Sequence, residues 1–262
     1  MKKRIIPAIL LNQGTQVSLS LNYSPWRSVG ALVQNLRLHV ARGADELLII
    51  NLNKTSNTGF NISPRILNLI RQEVDIPISY VGGLATCADA SYCVNSGFDK
   101  VFLSSAFFDN FKSVQSVSNV LGSQSVGVVL PYKRNSTTGH AFIWDYRIRS
   151  LIGLSLEDAI YQAVACGSGE ILLYDVDRDG TLSGLDPLIF GDLAKFNIDI
   201  PILVAGGAGK KNHILDILVS PYIQGVVASS IFALTQETPL TIRRFCQENG
   251  IAMRRVSSLC NN

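Results

Sequence analysis

The chain has 262 residues, 47% of them hydrophobic and 16% charged, with a net charge of +3. That length buries a large core and suits one barrel-sized domain or two smaller ones. The near-neutral balance and the scatter of Lys and Arg exclude nucleic acid as a partner. The opening, MKKRIIPAILLNQG, imitates a secretion signal, but its apolar run is only about seven residues, contains Pro7 and leads to no small-residue cleavage site. Ile5–Leu11 is predicted as a first strand instead. No apolar stretch approaches membrane-helix length. The five cysteines (Cys87, Cys93, Cys166, Cys246, Cys260) form no CxxC pair and no even framework, which predicts reduced thiols in a cytoplasmic protein.

The later apolar runs are short and β-rich: Leu47–Leu52, Ile78–Val81, Val101–Leu103, Val126–Leu130, Ile171–Val176, Ile202–Ala205 and Gly225–Ala228. Segments of helical length lie between them, among them Pro25–Arg42, Pro64–Glu73, Cys87–Ser96, Leu156–Cys166 and Pro187–Lys195. Three stretches recur in the same order at an offset of 124 or 125 residues. GADELLIINLN (Gly43–Asn53) returns as GSGEILLYDVD, IPISYVGGLA (Ile76–Ala85) as IPILVAGGAG, and VFLSSAFF (Val101–Phe108) as VVASSIFA. One domain over 1–262 is therefore expected, built from half-barrels at about 1–122 and 123–250 with a tail to 262. Eight buried strands alternating with helices predict an α/β fold, a parallel (β/α)8 barrel. Two open doubly wound sheets would leave bare strand edges.

The densest polar motif is YDVDRDGTLSGLD, Tyr174–Asp186. Asp175, Asp177, Asp179, Gly180, Ser183 and Asp186 fall at positions one, three, five, six, nine and twelve of a calcium loop. A calcium hand needs a preceding helix, whereas GEILLYDV is a strand pattern, so no metal and no cofactor are expected. The motif is then a βα loop, on the face where such barrels keep their active sites. Its mate in the first half places Asn51 and Asn53 where Asp175 and Asp177 stand. Gly82-Gly83 and Gly206-Gly207 follow the third and seventh strands, where paired glycines let backbone amides approach an anion. Ser104-Ser105 and Ser229-Ser230 follow the fourth and eighth strands. Each combination reads as a phosphate grip, the second joined by Asp179, Gly180 and Thr181. Two grips across the mouth suit a ligand with a phosphate at each end. Making tight turns is the other role such glycines have.

Jointly, RIIPAILL, GADELLIINL, GFDKVFLSSA, LGSQSVGVVLPYKR, GSGEILLYDVDRDGTLSG, IPILVAGGAG, ASSIF and ENGIAMRRV resemble the cyclase subunit of imidazole glycerol phosphate synthase over nearly the whole chain. The related histidine-pathway isomerase shares the repeat and the DGT motif but not the Arg-Ile-Ile-Pro opening. The resemblance implies a separate glutaminase partner, forming a heterodimer, that docks on the bottom of the barrel and releases ammonia. The ammonia would cross the interior and react at the top with a bisphosphorylated aminoimidazole precursor. Arg4, Glu46, Lys100 and Glu170 match the family's ring of charges at the ammonia entrance, and Asp99 matches a residue facing the glutaminase. Charges at the end of an apolar barrel must pair in any case, so a structural plug is the alternative role.

The top departs from the family pattern. The first-strand catalytic aspartate is replaced by Leu10 and the fifth-strand one by Pro131, and neither can move a proton. General acid–base steps typically contribute about 10²–10⁴-fold each. A loop lysine is replaced at about Ser18 and a second-strand aspartate by Asn51. In the first grip Val81 stands for a glycine and Ser104 for an asparagine. The second keeps Asp179, Gly180, Thr181, Gly206, Gly207 and Ser230. The acids left near the mouth are Asp175 and Asp177, candidates for general acid or base; holding the loop that carries Asp179 and Gly180 is their other role. Three functions follow as expectations. One is an amidotransferase synthase subunit serving another phosphorylated or nucleotide-linked acceptor, as divergent copies do in surface-polysaccharide loci that make amidino sugars, with a further sugar-modifying enzyme as a possible partner. The others are the ordinary histidine-pathway cyclase, a lyase, and a non-catalytic barrel that activates a glutaminase.

Overall fold

Short apolar runs punctuated by glycine turns become the staves of a closed barrel. The computed structural model describes residues 2–12, 14–52, 62–196 and 198–254. The first half runs β1 (Arg4–Asn12), β2 (Gln16–Leu21), β3 (Ser24–Ala31), α1 (Leu32–Ala41), β4 (Leu47–Asn51), α2 (Pro64–Glu73), β5 (Ile78–Val81), α3 (Cys87–Asn95), β6 (Lys100–Leu103), α4 (Ser105–Asp109) and α5 (Lys112–Leu121). The second runs β7 (Val126–Arg134), β8 (Ala141–Asp145), β9 (Ser150–Ser155), α6 (Leu156–Ala165), β10 (Glu170–Asp175), α7 (Ile189–Leu193), β11 (Ile202–Ala205), α8 (Lys211–Leu218), β12 (Ile223–Ala228), α9 (Ser230–Leu234) and α10 (Pro239–Glu248). The order of elements is the same in both.

Strands β10, β11, β12, β1, β4, β5, β6 and β7 lie side by side in parallel, and β10 pairs back onto β7 to close the ring, with Glu170 opposite Gly127 and Asp175 opposite Tyr132. The fold is thus a (β/α)8 barrel. The strand period of two divides each stave. One set of side chains, including Ile5, Ile9, Leu47, Val128 and Leu173, packs outward against the helices. The other, including Ile6, Leu10, Leu48, Phe102 and Leu172, fills the interior. The helices start where polar caps dictate. Ser63 and Ser155 accept the N-terminal amides of α2 and α6, and Thr86 with Asp89 forms a capping box on α3.

The segment expected as one helix over Pro25–Arg42 is corrected. Its first part is β3, paired antiparallel with β2 as a hairpin rising from β1, and only Leu32–Ala41 is helical. Pro25, Trp26, Val29 and Gly30 disfavour helix, and the strand bonds of β2 were available. The turn has Asn22 at φ 51° and Tyr23 at φ 64°, so a tyrosine sits where glycine is usual. The segment expected over Pro187–Lys195 shortens to the five residues of α7. Among the described residues no helix is long and apolar enough to cross a membrane, and no group of side chains is arranged to hold a metal ion. Cys87, Cys93, Cys166 and Cys246 are free thiols; Cys260 and Asn53 lie outside the described residues.

Candidate functional site at the two ends of the barrel

At the N-terminal end of the strands, four charged side chains turn inward and meet. Arg4 Nη1 lies 3.2 Å from Glu46 Oε2, Arg4 Nη2 donates to Glu170 Oε1, and Lys100 Nζ lies 2.6 Å from Glu170 Oε2. Glu170 is 0% exposed. Arg254, from the segment after α10, adds a second cation to Glu46 at 3.1 Å. Burial opposes the Arg4 charge, but Glu170 and Glu46 outweigh it and hold the guanidinium pKa above its usual value. Asp99 sits on this end and is exposed, its carboxylate accepting from the Ile78 amide at 2.9 Å. A second buried pair lies outside the ring. Asp45 and Arg243 are 3.3 Å apart, and burial pushes the Asp45 carboxyl up to about 6 even against the nearby Arg243 and Arg254.

Above the ring the interior is apolar. Along β1 the inward residues are Ile6, Ala8 and Leu10; along β10, Leu172 and Tyr174; on β6, Phe102. The Phe102 ring crosses to β7, where a side-chain carbon on Gly127 would stand 2.4 Å from it, so only glycine fits there. Leu10 is 1% exposed, and Pro131, also buried, pairs with Tyr174. The two positions where the resemblance puts catalytic carboxylates are therefore filled by apolar side chains at the inner wall.

The four acids of the calcium-like motif do not converge. Asp175 Oδ1 accepts from the amides of Asp177 and Arg178 at 3.0 and 3.1 Å, so its carboxylate caps its own loop. Asp177 Oδ1 pairs with Lys133 Nζ at 2.7 Å, and that ammonium lies 5.6 Å from the Trp144 ring centroid. Asp179 accepts from Ser20 Oγ at 2.6 Å, the Tyr23 amide at 2.8 Å and Tyr174 Oη at 2.8 Å. Asp186 takes Arg134 Nε at 2.7 Å and Tyr132 Oη at 3.0 Å. Each acid thus has its own partner. Burial, and to a lesser degree Asp186 and Asp177, raises the Asp175 carboxyl to about 6 against the amide and Arg178 contacts.

Asp179 is the clasp of the β2–β3 hairpin. It pins Tyr23 over the mouth, where the ring stacks edge-on to Tyr174 at 4.9 Å and Trp144 at 5.6 Å and lies 5.8 Å from Tyr146. Trp144 and Tyr146 come from β8 and the turn after it, so the two hairpins meet above the barrel. Sequence reasoning missed Ser20, Tyr23, Lys133 and Trp144. The signal available for them was Asp179 itself, an acid within an anion grip, which needs donors of its own.

Beside the clasp is a cleft lined by Tyr174, Asp179, Gly180, Gly206, Gly207 and Ser230, together with Ala8, Ala205 and Val227. It brings together the residues read as the second phosphate grip; Thr181 is exposed at its margin, bonded to the Arg178 carbonyl at 2.7 Å. Gly206 (φ 102°) and Gly207 (φ 95°) need the conformation that glycine favours, and a side chain on either would strike backbone at 2.4 Å or less. In the other half, Gly82 and Gly83 follow β5 with φ 130° and 69°. Gly82 backs onto Asn51, whose amide donates to Tyr80 Oη at 3.0 Å. Ser104 and Ser105 open α4, and the Ser104 hydroxyl is buried with no hydrogen-bond partner among the described residues.

The fold agrees with comparison to a known family. The family model described as "Histidine biosynthesis protein" matches residues 4–238. The chain belongs to that family, with a barrel of the cyclase type.

Proposed function

We propose that the chain is the synthase-side subunit of a glutamine amidotransferase complex. A glutaminase docks on the bottom face around Asp99, ammonia passes the Arg4–Glu46–Lys100–Glu170 ring, and the apolar interior carries it to the mouth. Ammonia as a neutral molecule crosses such an interior at small cost, whereas ammonium would lose its hydration. The acceptor is held by one phosphate at Gly206, Gly207 and Ser230. It is a sugar to be amidinated for a surface polysaccharide rather than a substrate for efficient imidazole ring closure.

The observation that carries this reading is Leu10 and Pro131 at the inner wall of the mouth, above a charged ring that keeps all four members. Ring closure needs proton transfer, and these side chains supply none. The second reading, an ordinary imidazole glycerol phosphate cyclase, rests on Asp175, whose carboxyl is tuned to about 6. That group already accepts two amides of its own loop. A third, a barrel that only activates a glutaminase, is supported less well because the Asp179–Gly180 loop and its cleft are intact.

Purified protein with its cognate glutaminase tests all three. Glutamine hydrolysis stimulated by the barrel, without imidazole glycerol phosphate, is the expected result. Formation of that product at ordinary rates would overturn the proposal.

A further inference from the structure

We propose that the two β-hairpins at the mouth form a docking surface for a second enzyme, a protein whose apolar patch is rimmed by carboxylates and which takes up ammonia as it leaves the barrel. This rests on the reading that the chain transmits ammonia. Five of the twelve exposed large apolar side chains among the described residues lie on these two hairpins: Leu21 and Trp26 on the first, Tyr146, Ile148 and Leu151 on the second, with Trp26 50% and Ile148 65% exposed. The hairpins touch through Tyr23 and Tyr146, and Arg149 Nη2 donates to Ser24 Oγ at 3.1 Å, so the two stand together at the mouth. Exposed apolar area gathered in this way marks an interaction site.

Charge and backbone select the occupant. Asp145, the one acid on the hairpin strands, is buried and held by Arg147 at 2.6 Å. Arg27 and Arg149 are exposed and in no ion pair among the described residues, which leaves a basic rim. A second copy of this chain would set these arginines against their own mates, whereas an acidic partner would attract them. Among the described residues strand β9 is a sheet edge, paired only with β8, and its sequence SLIGLS has neither charge nor proline to guard it. A protein strand can pair those open backbone groups; the apolar part of a bilayer cannot. The chemistry agrees, because a mouth lined by Leu10 and Pro131 needs acid–base groups brought by a partner.

The test mixes the full chain and its glutaminase with each purified enzyme encoded beside them, and measures binding by calorimetry at low and moderate salt. One enzyme should bind, with Kd rising at least tenfold in Arg27→Glu and in Ile148→Asp, and rising with salt. Glutamine hydrolysis by the barrel–glutaminase pair should be unchanged in both variants, and Val219→Asp, on the opposite end, should leave that enzyme bound. The surface assignment is overturned if no encoded enzyme binds, or if binding ignores both hairpin variants. It is equally overturned if Ile148→Asp only breaks up a dimer of this chain, or only releases it from vesicles of anionic phospholipid. Stimulated hydrolysis without a hairpin-dependent partner would sink this surface alone; loss of stimulation in the parent pair would sink the amidotransferase reading itself.

Discussion

Replacing Glu170 with glutamine tests whether the charged ring acts as one interacting unit. The carboxylate is fully buried and takes both Lys100 Nζ, at 2.6 Å, and Arg4 Nη2. Glu170→Gln keeps the shape but leaves Arg4 and Lys100 facing Glu46 alone. Removing one partner of a buried ion pair costs about 3–5 kcal/mol. The Lys100 side chain is 18% exposed and can lean toward water, so the loss falls near the lower end, about 3 kcal/mol. Lys100→Met leaves Glu170 with Arg4 and removes one charged hydrogen bond, about 2 kcal/mol. The double variant restores the balance around Arg4 and Glu46, so its cost should fall about 2 kcal/mol short of the sum of the singles. Guanidinium unfolding followed by circular dichroism, with m-values checked for constancy, reads all three. Additivity to within about 0.5 kcal/mol would refute the idea that the ring is coupled. With the cognate glutaminase, both single variants should still hydrolyse glutamine but lose transfer of ammonia to product. Variants that lose both by unfolding would make the ring a structural plug.

Asp179→Ala removes three hydrogen bonds and should cost about 3 kcal/mol, with faster amide hydrogen exchange over residues 19–24; unchanged exchange would show that Asp179 does not clasp the hairpin. Gly180→Ala places a carbon 2.2 Å from the Ser20 carbonyl at φ 75°, so stability should fall by more than about 1 kcal/mol and phosphate affinity with it, both measurable on the purified protein. Asp175 holds its proton more tightly folded, near 6, than at its ordinary 3.8. Its ionisation therefore subtracts stability as pH rises through that window, in full above about 6 and not at all well below 3.8, by about 3 kcal/mol. Asp175→Asn should flatten that share of the pH–stability curve, leaving the similar share of Asp45; an unchanged curve would refute the shift. Inorganic phosphate soaked into crystals should sit beside Gly206, Gly207 and Ser230, and occupancy only near Gly82 and Gly83 would reverse the ranking of the two grips.

Local pattern carried the barrel because each stave is an apolar run of strand length, and the repeat at 124 or 125 residues doubles every signal. The four ring residues were marked by the resemblance, and two of them were legible by position as well: Glu46 and Glu170 each stand just before such a run, and a charge there has only the barrel end to face. The hairpins were not. Asn22-Tyr23 lacks the Asn-Gly signature, and the φ of Tyr23 is tolerable only because Asp179, 156 residues later, takes its amide and Tyr174 and Trp144 take its ring. No local rule anticipates a turn stabilised from so far along the chain.

The Asp-rich loop divides the two kinds of information most clearly. Its sequence determined that a strand ends there and that a glycine turn follows, because strand period and left-handed backbone are local properties. Which partner each carboxylate finds was decided only by closure of the barrel. Closure brings Lys133 and Arg134 of β7 beside β10 and lowers the first hairpin onto Asp179, and charges at fixed spacing separate or converge according to what the folded chain sets opposite them.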